Sequence, residues 1–229
     1  MPAPPAAELL FGATLIEMRL PEAGELAWNP VTGERVIVLE GPAESPERRL
    51  VAELHVSPRG AVAGQHLHPA ITERFEVLEG TLGVKIAGEE RTANPGDALE
   101  VSPGTWHDWW NAGDEDAVVK VTVTPGERFS QAIANLFGFG LDGKTNAKGM
   151  PSPLQLVAFA REFEDVVVLR RPPRPVQRAM FGLLAPIARR RGYRGTYPRY
   201  EDARIVGTPE DVREGRPLEA RFGEGPGPP

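Results

Sequence analysis

Cysteine is absent from the 229-residue chain. This absence excludes disulfide bonds, metal sites built on thiolates and a cysteine nucleophile. Histidine is scarce, with four residues in all. A site for a first-row transition metal must therefore use imidazole nitrogen and carboxylate oxygen, which suit a borderline divalent ion.

Long apolar runs are lacking as well. The longest, such as residues 179–188, are about half the roughly 20 residues that a membrane-spanning helix needs, and Gly182 and Pro186 interrupt this one. Residues 1–10 have neither the basic start nor the apolar stretch of a signal peptide. These features predict a soluble, cytoplasmic protein with no membrane partner.

Positive charge is in deficit, with 26 Lys and Arg against 32 Asp and Glu. This balance argues against a nucleic-acid partner. Nine arginines and no acidic residue nevertheless lie between Val166 and Tyr200. The arginine-rich stretch 170–199 leaves three hypotheses open: a membrane surface, an anionic partner, or the solvated face of a capping helix. The last is favoured because residues 189–191 end a predicted helix, where cations interact favourably with the helix dipole.

Glycine and proline are frequent, at 25 and 24 residues, as is typical of a turn-rich β protein. Short strand-like segments separated by turn residues occur at 35–39, 50–56, 73–78, 82–86, 98–101 and 117–123. Many short strands at such spacing indicate a sandwich or barrel. The sequence therefore predicts an all-β core over residues 25–126.

The remaining segments differ in composition. Residues 1–24 are predicted to be an N-terminal arm, and residues 127–200 a mostly helical C-terminal extension that packs on the barrel or across a dimer. The third helix of this extension is expected from Pro175 to about Arg190. The polar loop 141–150 is a candidate lid. Residues 201–229 are charged and rich in Gly and Pro, which predicts a disordered tail.

Three of the four histidines fall into two spaced motifs. The first reads Gly60, five residues, His66-Leu-His68, four residues, Glu73, six residues, Gly80. The second reads Gly96, five residues, Ser102-Pro-Gly104, two residues, His107, three residues, Asn111. Alternate side chains of a strand share a face, so His66 and His68 point the same way. His55 lies outside both motifs and is interpreted as structural.

These motifs resemble the two motifs of metal-binding cupins, over about residues 27–125. One position departs, since Ser102 stands where the family usually has proline, at a turn rather than a ligand. The resemblance implies a cupin double-stranded β-helix, or jelly-roll, barrel, and the lack of an internal repeat indicates a single barrel. It also implies one divalent metal (Fe, Mn, Ni, Cu or Zn) with the ligands His66, His68, Glu73 and His107.

Strand parity extends the predicted site. Phe75 and Val77 share a face with Glu73, and Trp109 and Asn111 share a face with His107. If the ligands face inward, these four residues line an apolar, aromatic pocket for a small-molecule substrate. Lys85 is the one basic residue near the ligands that could face the pocket, so a ring-bearing substrate fits better than a sugar phosphate.

The resemblance implies an enzyme, because cupins with this ligand set include dioxygenases, decarboxylases, isomerases and cyclases. Dioxygenase-type chemistry on a small aromatic or enolisable substrate is the first hypothesis, with Glu73 as a catalytic ligand that also takes up a proton. A redox-neutral isomerase or cyclase and a non-catalytic binding module are the alternatives. A homodimer is expected, with Trp110 and residues 9–20 supplying apolar surface.

Overall fold

The computed structural model describes residues 19–62 and 64–229, so most of the predicted arm, including residues 9–18, lies outside the described residues. The strands are β1 (Leu26–Asn29), β2 (Glu34–Glu40), β3 (Leu50–Val56), β4 (His66–Leu67), β5 (Thr72–Glu79), β6 (Leu82–Ile86), β7 (Glu89–Ala93), β8 (Ala98–Val101), β9 (His107–Asn111), β10 (Ala117–Thr124), β11 (Val168–Leu169), β12 (Arg204–Val206) and β13 (Glu219–Arg221). The helices are α1 (Glu127–Leu141), α2 (Pro153–Glu162), α3 (Arg174–Arg190), α4 (Pro198–Glu201) and α5 (Pro209–Arg213). None of the helices in these two ranges has the length and apolar character needed to cross a membrane.

Two antiparallel sheets form the predicted jelly-roll barrel. The larger has the strand order β1-β2-β3-β10-β5-β8, and the smaller has the order β11-β4-β9-β6-β7. Side chains alternate between the faces as the period of a strand requires. On β3, Leu50, Ala52 and Leu54 line the internal cavity, whereas His55 bonds to Glu53 on the other face. His55 therefore has a structural partner outside the predicted site.

Helices α1 and α2 cover the barrel of the same chain. The side chains of Phe137, Phe139 and Phe159 are buried, and the rings of Phe139 and Phe159 meet edge-on at 6.1 Å. Gly138 allows a close approach to α4, because a Cβ atom there would lie 2.3 Å from the ring of Tyr200. The helical extension is thus built into the domain rather than appended to it.

Helix α3 begins one residue before the predicted start and ends at the predicted Arg190. Its apolar residues are unevenly covered: Leu183 is 72% exposed, Val176 47% and Ile187 44%. The helix contacts α2, and two of its alanines, Ala185 and Ala188, are buried. Part of the apolar face of α3 therefore remains open to solvent.

The last segment corrects a prediction. Residues 201–229 do not form a disordered tail, because they contain β12, α5 and β13. Val212 and Leu218 are buried against Ile37 on the outer face of β2. Arg213 donates to Glu53 of β3 at 3.0 Å. A small number of apolar side chains in this charged, Gly/Pro-rich segment therefore covers part of the outer face of the sheet.

The outer face of the smaller sheet carries Trp110 and Lys85, two residues whose orientation strand parity alone could not establish. Trp110 is half-buried and lies over Gly83, where a Cβ atom would be 2.2 Å from its ring. Lys85 pairs in register with Asp108, and its Nζ lies 3.8 Å from Glu90. Both side chains therefore belong to the exterior of the barrel and not to its cavity.

Candidate metal centre

Four side chains from three strands and one turn converge inside the barrel. His66 on β4 faces His107 on β9 in register, His68 follows β4, and Glu73 lies on β5 of the opposite sheet. All four are buried, with exposures of 6% or less. Each offers one potential ligand atom, and these atoms lie within 4.8 Å of one another. The structure thus brings together the complete predicted ligand set.

The hydrogen bonds of the three imidazoles fix how they face the centre. Nδ1 of His66 lies 3.0 Å from the carbonyl oxygen of Gly64, and Nδ1 of His107 lies 3.0 Å from that of Thr105. Nδ1 of His68 lies 2.6 Å from a third carbonyl oxygen. A carbonyl only accepts, so each Nδ1 carries a proton and Nε2 is the atom directed at the centre, where the neutral form of the ring presents a lone pair. Metal-bound histidines use this arrangement.

A positive ion fits between these atoms. Oε2 of Glu73 lies 2.8 Å from Nε2 of His107 and 3.2 Å from Nε2 of His68. In the neutral tautomer these are three acceptors facing one another, and none of the three buried atoms has a hydrogen-bond donor of suitable geometry. Buried acceptors in such contact require a proton or a cation. The donor set, three imidazoles and one carboxylate, suits a first-row divalent metal.

The electrostatics of the site follow from burial and mutual contact. Burial, with a smaller contribution from His107 and His68, lowers the pKa of His66 to about 3, so its ring is neutral near pH 7. Burial alone would raise the pKa of Glu73, but contact with the same two imidazoles holds it well below its usual value. Burial opposes the charged form of His68, yet the Glu73 carboxylate raises its pKa. Glu73 is therefore an anion beside a neutral His66 ring.

Glycines of the two motifs occupy turns between the strands of the barrel. Gly80 and Gly96 have φ of +72° and +93°, a region that favours glycine. The backbone N–H of Gly104 donates to the carbonyl oxygen of His68 at 2.7 Å, which ties the two motifs together. Ser102 is exposed, and its carbonyl oxygen accepts from Thr105 at 3.2 Å. The turn at Ser102 therefore forms without the usual proline.

A cavity of about 180 Å³ opens beside the ligands. Phe75 and Trp109, both predicted for the pocket, line it. Phe129 of α1 lines it too and meets the His68 ring edge-on at 5.6 Å. Gly149 and Met150, from the end of the candidate lid loop, also reach it. The wall is mainly apolar, and no Lys or Arg is among the described residues that line it.

Two residues predicted for the pocket lie elsewhere. Val77 is packed in the hydrophobic core and is not among the residues that line the cavity. Asn111 donates from Nδ2 to the carbonyl oxygens of Val56 and Glu115, each at 2.7 Å, and accepts from the N–H of Gly113 at 2.8 Å. The side-chain amide of Asn111 therefore bonds to backbone groups and not to a ligand in the cavity. A residue on the inward face of a strand thus does not necessarily line the cavity.

Sequence reasoning missed two contributors. The carbonyl oxygen that accepts the hydrogen bond from Nδ1 of His68 belongs to Val166, in the helical extension. β11 follows it and pairs Leu169 with His66. Glu34 of β2 lines the cavity as a buried carboxyl group. The backbone contact of Val166 has no sequence signature, but the charged residue at the head of a β-rich apolar segment was a signal for Glu34.

The jelly-roll barrel and its internal cluster of three histidines and one glutamate are the fold and the site that the cupin motifs predicted. Residues 52–124 match the family model described as the cupin domain. These residues form a cupin domain, and the chain has a single such barrel, which carries both motifs.

Several known proteins are similar over part of the chain. Gentisate 1,2 dioxygenase 1 of Aquipseudomonas alcaligenes is 31% identical over 103 residues, which cover 43% of this chain and 30% of that protein. The chain thus matches less than a third of the length of this curated relative. Among solved structures, KdgF from Halomonas sp. is 18% identical (43% of this chain, 84% of that one, TM-score 0.38). A predicted oxalate decarboxylase from Thermotoga maritima is 19% identical (45% and 92%, TM-score 0.40).

Proposed function

We propose that the protein is a metal-dependent enzyme that acts on a small aromatic or enolisable substrate, with dioxygenase-type oxygen chemistry. One observation carries this proposal: His66, His68, Glu73 and His107 present their free ligand atoms beside a cavity whose wall is apolar and aromatic. When bound there, a divalent metal supplies Lewis acidity, open coordination positions and, if redox-active, electron transfer.

The residues of the chain have separate tasks in this proposal. The three imidazoles are held in one tautomer by backbone carbonyls, so the site is preorganised. Phe75 and Trp109 provide the flat apolar surface on which an aromatic ring packs, and α1 and α2 exclude water above it. Glu73 is the anionic ligand. Its proposed second task, proton uptake from an enolisable substrate, requires that its contacts with His107 and His68, which keep its pKa low, are first loosened.

Two further points support the choice of substrate and reaction. A sugar phosphate would require basic groups, and none of the described residues that line the cavity is Lys or Arg, since Lys85 lies outside the barrel. The partial similarity to a protein named as a gentisate dioxygenase favours oxygen chemistry on an aromatic substrate. A redox-neutral isomerase or cyclase would use the same ligands with a metal such as zinc.

The oligomeric state and the cellular location of the protein are also part of the proposal. We infer a cytoplasmic homodimer, because Val176, Leu183 and Ile187 leave an apolar surface on α3 and Trp110 is half-buried on the sheet exterior. Such exposed apolar patches are typical of protein interfaces. Light scattering during size-exclusion chromatography tests this state, and a monomeric mass over the whole concentration range would contradict it.

Elemental analysis of the purified protein, followed by oxygen-uptake measurements, tests the reaction. The substrate panel should contain gentisate and other enolisable aromatic compounds, with the His107→Ala variant as the inactive control. Iron, manganese, copper or nickel near one ion per chain, with oxygen uptake that His107→Ala abolishes, would support the proposal. Zinc without oxygen uptake would favour the isomerase or cyclase instead, and a wild-type protein that binds no metal would refute both.

A further inference from the structure

Glu34 is a buried carboxyl group without a cation. The residue is 8% exposed, and it forms no ion pair with any residue in the described ranges. The Thr32 hydroxyl donates to its Oε2. Carboxylates are almost never buried unless they are paired, because burial of an unpaired charge is costly. The position of Glu34 in the wall of the cavity therefore calls for a functional explanation.

The barrel places Glu34 far from the metal ligands. Glu34 pairs with Val56 at one end of β3. At the other end of β3, Leu50 pairs with Val123 of β10, and Val123 in turn pairs with the ligand Glu73. The six steps from Leu50 to Val56 place Glu34 about 20 Å from Glu73 along the sheet, and the four steps from His107 to Asn111, whose Nδ2 donates to the carbonyl oxygen of Val56, correspond to about 13 Å. Glu34 and the ligands thus mark opposite ends of one cavity.

The wall between these ends is apolar. Its side chains include Val36, Ala52, Leu54, Phe75 and Val121. Asn29 and Thr32 are the polar neighbours of Glu34 in the lining, but Oδ1 of Asn29 already accepts from the N–H groups of Val31 and Thr32. The carboxyl of Glu34 is therefore an ionisable group at this end with unused acceptor capacity. Oε1 has no partner among the described side chains, so it is available toward the cavity.

The chemistry of Glu34 suits a ligand that carries a hydrogen-bond donor. Burial raises the pKa of Glu34 to about 7, although the bond from Thr32 opposes this rise. The ionised form accepts a hydrogen bond from a hydroxyl group or pairs with an ammonium group, and the neutral form also bonds to a hydroxyl group. An apolar end group would leave the carboxyl unsatisfied.

We propose that Glu34 forms a second, distal binding site that selects elongated substrates with a hydroxyl or amino group at the end remote from the metal. This inference rests on the proposed function, because it takes the metal site as the anchor of the other end. It narrows the substrate class to an aromatic or enolisable head on an apolar chain with a polar terminus.

Binding measurements on the zinc-loaded protein test this proposal without turnover. The probes are 4-alkylcatechols with chains of about six or ten carbons, lengths set by the strand estimate above, that end in a methyl, hydroxyl or amino group. We expect one chain length to bind about ten-fold more tightly with a hydroxyl or amino end than with a methyl end, as one satisfied buried hydrogen bond implies. Glu34→Leu should abolish this preference, and Glu34→Gln should keep it for the hydroxyl probe alone. Glu79→Gln, which changes an exposed carboxyl on the same sheet, is the matched control.

Bound zinc and thermal stability are measured for each variant, so failure of the two proposals can be told apart. Loss of end-group preference with zinc still bound supports the role of Glu34. Equal binding of the three probes by the wild type, no binding of any probe, or a preference that persists in Glu34→Leu would overturn it while the metal site stands. A wild type that takes up no zinc would instead refute the proposed function.

Discussion

Nδ1 of His68 lies 2.6 Å from the carbonyl oxygen of Val166, 98 residues further along the chain. The same segment continues into β11, where Leu169 pairs with His66. The helical extension therefore contacts two of the three histidines of the candidate metal site, through the ring of His68 and the backbone of His66. Groups that orient metal ligands typically change metal affinity by 10- to 100-fold when they are lost.

Replacement of Arg170 by proline tests this coupling. The N–H of Arg170 donates to the carbonyl oxygen of Gln65 at 2.9 Å, and proline removes that donor. We expect Arg170→Pro to weaken metal binding by about ten-fold, measured by competition with a chromophoric chelator. Arg170→Ala removes the side-chain bond to Gln65 but keeps the backbone bond, so it is the matched control. Equal affinities in the two variants would argue against a role for the extension in metal binding.

Loss of a ligand should affect both metal content and stability. In His107→Ala, Glu73 keeps only its contact with His68 inside a buried pocket. We expect bound metal to fall to background in elemental analysis, and urea unfolding to show that the variant lacks the roughly 3 kcal/mol that metal at about 100 times its dissociation constant adds to the wild type. His55→Gln, which changes the histidine outside the site, should retain the wild-type metal content.

The sequence predicted the parts of the site that depend on local geometry. His66 and His68 share a face because one residue separates them, and the same alternation puts Phe75 and Trp109 on the faces that line the cavity. Alternation gives the face of a strand but not the neighbours of a side chain. Asn111 was therefore assigned to the pocket, although backbone groups use its hydrogen-bonding capacity.

Long-range contacts were the part that could not be predicted. The carbonyl of Val166 is chemically identical to every other carbonyl of the chain, so no residue pattern marks its contact with His68. The ordered segment after residue 201 was missed for a related reason. Its apolar residues, such as Val212 and Leu218, are few and widely spaced, and they become a cluster only against Ile37 of the barrel.

A substitution at Asn111 separates a structural role from a binding role. Its amide satisfies the carbonyls of Val56 and Glu115, which are otherwise left without this donor. We expect Asn111→Ala to lower the unfolding free energy by about 3 kcal/mol, from the loss of buried hydrogen bonds. Urea unfolding measures this change. Metal content at saturating metal should stay unchanged, and a stable variant with altered ligand binding would restore Asn111 to the pocket.

The order of the last segment predicts an effect of Val212. This residue is fully buried in the cluster with Ile37 and Leu218. Val212→Ala should lower the unfolding free energy by about 1 to 2 kcal/mol, the scale for removing buried methyl groups. Val206→Ala, which trims a residue that is 39% exposed in β12, should have a much smaller effect. Identical denaturation curves for Val212→Ala and the wild type would indicate that the segment does not pack on the sheet.

The carboxyl of Glu34 should make stability depend on pH. Its pKa is about 7 in the folded protein and near its usual value of 4.5 in the unfolded chain. The folded state therefore binds the proton more tightly, and its contribution to stability, full below about pH 4.5, is lost as the pH rises through 7. Glu34→Gln keeps a polar partner for Thr32 without this ionisation. We expect the unfolding free energy of the wild type to fall relative to this variant by about 3 kcal/mol between about pH 4.5 and pH 8. Urea titrations across this range measure this difference in unfolding free energy. A difference that does not change with pH would show that the pKa of Glu34 is the same in the folded and unfolded states.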